Sequence, residues 1–327
     1  MTEASKRRPL ISSLTFALHV CIFLLALITV FSFFGQWSAV LELLCHFRMH
    51  YLGLWGLSGI WFVVTNRYRW IGLAILGMGM NAYQVFPLYW QENAIVPENS
   101  GSDTFTIASI NVLQDNQNYQ SVENYIRAKD PDIVALLEAT PRWASGLRSI
   151  SDEFPFQVLV PLPGYYGIIL LSQFPIDSSK TLRLISPPVP SLYAQVRIGS
   201  QSLQMVVSHP PSPPSLKKIA WRNHMFLAIG RLMSEMEGHK LLIGDLNTTS
   251  YSTVFRSLLE QTGMRDSRIG WGRQASWPSR FGAWGIALDH ALLSPDMEVL
   301  HRETGVIEGS DHKPIFLKLA IHQDGKD

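Results

Sequence analysis

The sequence predicts an α+β fold in which two layers of β-strands are covered by helices, preceded by an N-terminal transmembrane helical region. Three observations carry that prediction. Most of the long uncharged runs of the 327-residue chain lie before residue 91. Beyond that point, short apolar runs of strand length alternate with stretches of helical spacing. Several of these strands end in a residue able to hold a metal ion or move a proton, and strand ends are where rigid scaffolds present functional side chains.

Leu10 to Phe34 is 25 residues without a formal charge. A helix rising about 1.5 Å per residue over that length crosses a hydrocarbon core of about 30 Å. The basic start fits a signal peptide too, but the run is longer than a signal core and no small-x-small cleavage site follows it, so it reads as a retained span. The next stretch, "GQWSAVLELLCHF", is apolar but carries Glu42 and reads as interfacial or re-entrant. Further spans are expected over residues 49–65 and 70–90. Residues 1–97 then form a membrane anchor with about three helices (10–34, 49–65, 70–90) and a linker, and residues 98–327 form the second domain.

Lys6, Arg7 and Arg8 precede the first span, and Arg67 and Arg69 lie between the second and third. Basic flanks stay cytoplasmic, so three spans place everything after Trp90 on the outer side. Arg48 is the one basic residue that this arrangement puts outside. Both cysteines, Cys21 and Cys45, belong to the anchor, so the second domain uses no disulfide.

The stretch "QENAIVPENSGSDT" is polar and contains Pro97 and Gly101, as a linker should. After it, "FTIASINVL", "DIVALLE" and "GIILLSQFPI" read as strands, and "SVENYIRAKD" as a helix stopped at Pro131. "SLYAQVRIGSQSLQMVVSHP" is a hairpin joined at Gly199-Ser200. "AWRNHMFLAIGRLMSEMEG" is a long helix ended by Gly238, and "TVFRSLLEQTG" a shorter one ended by Gly263. "KLLIGDLN", "IALDHALLSP" and "KPIFLKLAI" complete the strands.

The polar strand ends are Asn111, Glu138, His209, Asp245 with Asn247, Asp289, and the Asp311-His312 pair. Each alone suits turn or cap chemistry; together they exceed what turns require. Glu138, Asp311 and the side-chain carbonyl of Asn111 are hard oxygen ligands, suited to Mg²⁺ or Mn²⁺. No cysteine is available and the histidines lack zinc-type spacing. A hard cation with carboxylates and histidines suits displacement at phosphorus, where the cations neutralise oxygen charge and an aspartate handles the attacking water.

The order Asn111, Glu138, "SHPPSPP", "GDLN", "LDHALLS", "GSDHKPI" resembles the endonuclease/exonuclease/phosphatase superfamily, whose members include deoxyribonuclease-I-like nucleases, neutral sphingomyelinases and inositol polyphosphate 5-phosphatases. The resemblance runs from about Thr104 to Leu319 and leaves the hydrophobic region uncovered, although some bacterial members carry such regions. It implies a four-layer αββα sandwich with two packed mixed sheets, and Mg²⁺ or Mn²⁺ as cofactor. It implies metal binding at Glu138, completed by Asn111 and Asp311. It further implies water activation by Asp245, phosphate contact by Asn247, charge stabilisation by His209 and His312, and orientation of His312 by Asp289. For a bacterial chain, the outer side would be the periplasmic face of the inner membrane. One departure concerns "YYGIILLSQFPI", which has Ile168 or Ile169 where a small polar residue is common and Gln173 where a base is common, putting a phosphate contact from this strand in doubt.

Net charge is +1, and residues 98–327 hold 21 Lys plus Arg against 23 Asp plus Glu. That balance provides no broad basic face for sequence-independent nucleic-acid binding, although Arg265, Arg268, Arg273 and Arg280 could form a local patch. The loop "GWGRQASWPSRFGAW" offers Trp277 beside Arg273 and Arg280 as substrate contacts, or its rings pack beneath the loop. The expected partners are therefore the lipid bilayer and a phosphoester, either lipid-linked or nucleic acid. A non-catalytic binding module on the same fold is the other class of function to be tested.

Overall fold

The computed structural model describes residues 3–90, 103–213 and 215–322, without the side chains of residues 3–13 and Ser151. The chain divides into two compact units, Met1–Pro87 and Leu88–Asp327. The expected linker lies outside the described residues apart from Asp103 and Thr104.

The first unit contains α1 (Glu3–Phe31), the short α2 (Ala39–Leu44), α3 (Arg48–Val64) and α4 (Ile71–Val85). Among the described residues, two helical segments are long and apolar enough to cross a membrane, Leu14–Phe31 and Tyr68–Leu88. The helix of the expected middle span, α3, has 17 residues. Ile22, Leu25, Tyr51, Trp55, Phe62 and Ala74 form an apolar cluster inside this unit. Trp55 Nε1–H donates to Thr29 Oγ1 at 2.9 Å. Arg48 is fully buried. Its guanidinium donates to Ser32 O at 2.6 Å, just past the end of α1, and lies 3.9 Å from the centroid of the Phe33 ring. A cation is favoured at a helix C-terminus, where carbonyls lack partners.

The second unit is a four-layer αββα sandwich. Its strands are β1 (Asp103–Asn111), β2 (Ile133–Leu137), β3 (Phe156–Val160), β4 (Ile168–Ser172), β5 (Ile176–Arg183), β6 (Pro190–Ile198), β7 (Gln201–Ser208), β8 (His239–Asp245), β9 (Arg265–Asp266), β10 (Asp289–Leu293), β11 (Met297–Thr304) and β12 (Ile315–Ile321). One sheet has the order β11-β12-β1-β2-β4-β3 and the other β5-β6-β7-β8-β10-β9. Both are mixed: β1 pairs with β2 and β7 with β8 in parallel, and the remaining neighbours are antiparallel. Helices α5 (Tyr119–Lys129) and α6 (Pro141–Gly146) cover the first sheet, while α7 (Leu216–Glu235) and α8 (Thr253–Thr262) cover the second.

Strand side chains alternate with a period of two, and here both faces are apolar because both are covered. Ile107, Ile133, Leu170, Met205, Ile243, Ala291 and Leu317 point between the sheets. Their neighbours Ala108, Val134, Ile169 and Phe316 face α5 and α6, and Val206, Leu242 and Leu292 face α7 and α8. Adjacent strands of one sheet also approach closely. A Cβ on Gly244 (φ +144°) would sit 2.1 Å from Ser208 O on β7, so only glycine fits before Asp245.

Ile243 is fully buried in the inter-sheet layer. Ile243→Ala is expected to destabilise the domain by about 2–5 kcal/mol through lost transfer energy and a residual cavity, measured by chemical denaturation followed by tryptophan fluorescence.

Candidate active site

The alternation that fills the inter-sheet core continues to the strand ends. Asn111 follows Ile107 in the inward phase of β1, Asp245 follows Leu241 and Ile243 in β8, and Asp289 precedes Ala291 and Leu293 in β10. Asp289 sits directly across from Asp245 in the antiparallel β8–β10 pair. His209 continues the inward phase one residue beyond β7. Glu138 follows β2 with φ +58° and Asn247 follows β8 with φ +49°, both in the left-handed region that costs a non-glycine residue about 1–2 kcal/mol. These turns bring the side chains to one end of the layer between the sheets.

There they border a cavity of about 280 Å³, lined by Glu138, His209, Asp245, Asn247, Asp311 and His312 together with Leu113, Tyr165, Tyr166, Ser212, Lys218, Trp277 and Leu288. Asp245 is its hub. Its Oδ2 lies 3.4 Å from His209 Nε2 and 3.4 Å from His312 Nε2, and accepts from Asn111 Nδ2 at 3.1 Å. Its Oδ1 accepts from the Asn247 backbone N–H at 2.9 Å. His312 Nδ1–H donates to Asp289 Oδ2 at 2.9 Å. His209 Nδ1–H donates to Tyr165 O at 2.9 Å, which turns Nε2 towards Asp245.

The charges follow from this geometry. Burial opposes the charged form of His312, but Asp289 and Asp245 outweigh it and push the ring up to about 10. Burial likewise opposes charging of His209, and its hydrogen bond to Asp245 and the Asp245 charge prevail, raising its pKa. Burial opposes ionisation of Asp245 as well, yet His312, His209 and the Asn247 N–H hold this carboxyl well below the usual range. Both rings are thus biased towards the imidazolium form, with Asp245 held as the carboxylate between them.

The donor set also identifies where a cation would fit. Asp245, Asp289 and His312 bring ligand atoms within 4.8 Å of one another. However, the His312 ring already occupies the space between the two carboxylates, with both nitrogens engaged. Glu138 is different. It is 7% exposed, its Oε1 accepts from Asn111 Nδ2 at 3.1 Å and its Oε2 from the Gln114 N–H at 3.1 Å. Both donors are neutral, and no basic side chain pairs with Glu138 among the described residues. A buried carboxylate beside a polar cavity without a cationic partner fits a bound divalent ion, and the exposed Asp311 lines the same cavity.

Asn111, expected to complete the metal site, is hydrogen-bonded through both ends of its amide. Its Oδ1 accepts from the Leu113 N–H at 3.1 Å, so Nδ2 faces both Glu138 and Asp245 and bridges the two carboxylates. Trp277 lines the cavity and donates from Nε1 to Asp311 Oδ2 at 3.0 Å. Arg273 and Arg280 do not line it. Arg273 is held inside its loop by a bond to Gly285 O at 3.0 Å, and Arg280 stacks on the exposed Phe281. The four-arginine patch does not form: Arg268 is buried beside Asp266, and Arg265 donates to Met297 O.

Gln173 follows the end of β4 that pairs with Ile133, whereas Glu138 follows the end that pairs with Ile168. Gln173 is thus at the opposite end of the strand, about 15 Å from the site at 3.3 Å per residue, and its lack of charge has no bearing on phosphate contact. Residues not singled out in the sequence also shape the site. Tyr165 orients His209. Ser310 Oγ–H donates to Asn111 O at 2.7 Å and accepts from the His312 N–H at 3.0 Å, tying the "GSDH" turn to β1. Their signal lay in the quoted motifs, next to residues of more obvious chemistry.

The Endonuclease/Exonuclease/phosphatase family model matches residues 108–312. Among solved structures, a humanized D. rerio TDP2 is 18% identical, with 67% of this chain and 99% of that chain covered and a TM-score of 0.56. An endonuclease/exonuclease/phosphatase from Bacteroides vulgatus is 19% identical, with 67% and 99% covered and a TM-score of 0.56. Sphingomyelinase C from Streptomyces griseocarneus is 16% identical, with 66% and 99% covered and a TM-score of 0.50. No curated protein matches by sequence. At these identities the solved structures establish the fold, and the family model, spanning well over half the chain, establishes the membership: the chain belongs to the endonuclease/exonuclease/phosphatase family.

Proposed function

We propose that this chain is a membrane-anchored phosphoesterase that uses Mg²⁺ or Mn²⁺ to hydrolyse a phosphodiester or phosphomonoester by attack of water. The observation that carries this reading is the convergence of the His209 and His312 rings on Asp245, beside a buried Glu138 whose hydrogen-bond donors among the described residues are neutral.

Glu138 and Asp311 would hold the cation, which when bound polarises a phosphoryl oxygen as a Lewis acid. Asn111 sets the spacing of Glu138 and Asp245. Asp245 stays ionised and offers an acceptor that orients the attacking water. His209 and His312 present their Nε2–H groups to the oxygens on which negative charge builds as phosphorus becomes pentacoordinate. Asp289 keeps His312 protonated and fixes its ring. Asn247 donates one Nδ2 hydrogen to Pro210 O at 3.0 Å and keeps the other for a phosphate oxygen. These groups are aligned before substrate arrives, which is the source of electrostatic catalysis.

A nuclease is the second reading, since a D. rerio TDP2 structure is described as complexed with a single-strand DNA product. It is disfavoured by the net charge of the domain and by the tied arginines. The hydrophobic unit supports a substrate at or near a membrane. We further propose three spans with the catalytic domain on the outer, periplasmic side. The basic flanks support it, and the anchoring of Arg48 on Ser32 O removes the objection that a lone basic residue would be stranded at the outer ends of α1 and α3.

Three outcomes are expected. Purified protein should hydrolyse bis-p-nitrophenyl phosphate with Mg²⁺ or Mn²⁺, lose activity in EDTA and regain it with either ion; full turnover in EDTA would exclude the metal-dependent reading. Glu138→Gln, Asp245→Asn and His312→Ala should each lower kcat by about 10²–10³-fold or more with folding intact by circular dichroism, and near-normal turnover in any of them would remove that residue from the mechanism. Alkaline phosphatase fused after Asp327 should be active and green fluorescent protein at the same place dark. The reverse pattern would put the domain in the cytoplasm.

A further inference from the structure

We infer that Lys218 is a specificity-determining residue that binds a second anionic group of the substrate, so that the preferred phosphoester carries another phosphate beside the one being cleaved. This rests on the phosphoesterase reading of the same cavity. Lys218 is the only lysine or arginine among the residues lining it. It is half-buried and makes no ion pair among the described residues.

Its placement is built in. Ser215 caps α7 by accepting from the Lys218 N–H at 3.3 Å, which sets Lys218 in the first helical turn. Arg222 is four residues on and so shares its face of the helix. That guanidinium is buried and donates to Asn247 O at 2.9 Å, pinning this face of α7 to the turn that holds Asn247. Asn247 in turn bonds Pro210 O in the segment leading to the helix. A lysine in the first turn opposes the positive end of the helix, and this turn has no acidic residue to offset it. The neighbouring Lys217 is accounted for by its position over the Trp221 ring, 4.9 Å from the centroid. Lys218 has no such partner and faces the cavity instead.

The floor of the cavity is formed by buried groups that serve the reacting phosphate, namely Asp245, His209 and His312. Lys218 stands at the rim, where it meets the part of the substrate next to that phosphate. One free cation suits one flanking anion. A polymer backbone would need a row of cations, and Arg265, Arg268 and Arg273 are committed to internal partners.

The test is calorimetric titration of the full-length protein, in detergent with Mg²⁺, using n-propyl phosphate and propane-1,3-diol bisphosphate as probes. The bisphosphate should bind about 10- to 100-fold more tightly, the range of a charge-assisted hydrogen bond. Lys218→Met should erase that preference, Lys218→Arg should retain most of it, and Lys217→Met should leave it intact. Equal affinity for the two probes in the parent, or a preference that survives Lys218→Met, would overturn the inference. So would a single-stranded decanucleotide binding more tightly than the bisphosphate. Turnover of bis-p-nitrophenyl phosphate, measured on the same samples, separates the two readings: Lys218-dependent bisphosphate binding without turnover sinks the phosphoesterase reading, and turnover without Lys218-dependent binding sinks this one.

Discussion

Asp245 Oδ2 is the atom on which the site depends. It is buried, it carries charge, and its three nearest donors come from both sheets: Asn111 and His312 from the first, His209 from the second. A buried carboxylate without such partners would cost several kcal/mol or take up a proton. The two sheets must therefore meet in one relative position for the charge to be satisfied. The same compensation favours the protonated form of both imidazoles, so the contacts that stabilise Asp245 also set the charge of the two rings around it. Asp289 extends the network by one step and is itself held in register opposite Asp245.

The apolar layer between the sheets makes this placement cheap to specify. Inward-facing positions along β1, β8 and β10 are mostly apolar, with Ser109 an exception in β1, and at one end of each strand Asn111, Asp245 and Asp289 take over. A slip of one residue in any strand would move the polar group to a helix-covered face and expose the core residues to the wrong layer. Register is thus enforced by some twenty buried apolar side chains, and the polar residues inherit their precision from it. The left-handed turns at Glu138 and Asn247 are local costs carried by that packing.

The hydrophobic unit solves a different problem with similar means. Arg48 opens α3 among apolar helices, where an unpaired buried charge would be costly. It turns inward to the carbonyl at the end of α1 and lies over Phe33. Trp55 and Thr29 pair deeper in the same unit. Polar groups buried among apolar helices are tolerated where a partner is supplied among them.

The eight central strands, β1, β2, β4, β6, β7, β8, β10 and β12, were legible in the sequence, most as near-continuous apolar runs because both faces are covered, and β6 and β7 as alternating runs joined at Gly199-Ser200. The four strands that sequence reasoning did not resolve are β3, β5, β9 and β11, the four sheet edges. Edge strands are partly solvated and carry residues such as those of "IDSSKTLR" and "MEVLHRET", whose polar composition does not distinguish them from loops. The chemistry-bearing residues were legible for a related reason: polar types at the ends of apolar runs stand out. Their mutual roles were not. Only the tertiary structure decided that Asn111 turns its amide nitrogen to the carboxylates, that Arg273 folds into its own loop, that Gln173 lies at the far end of β4, and that Lys218 joins the cavity. Each of these depends on which hydrogen-bond partners the assembled sheets and helices bring within reach, and residues brought together from distant parts of the chain leave no periodic signal in it.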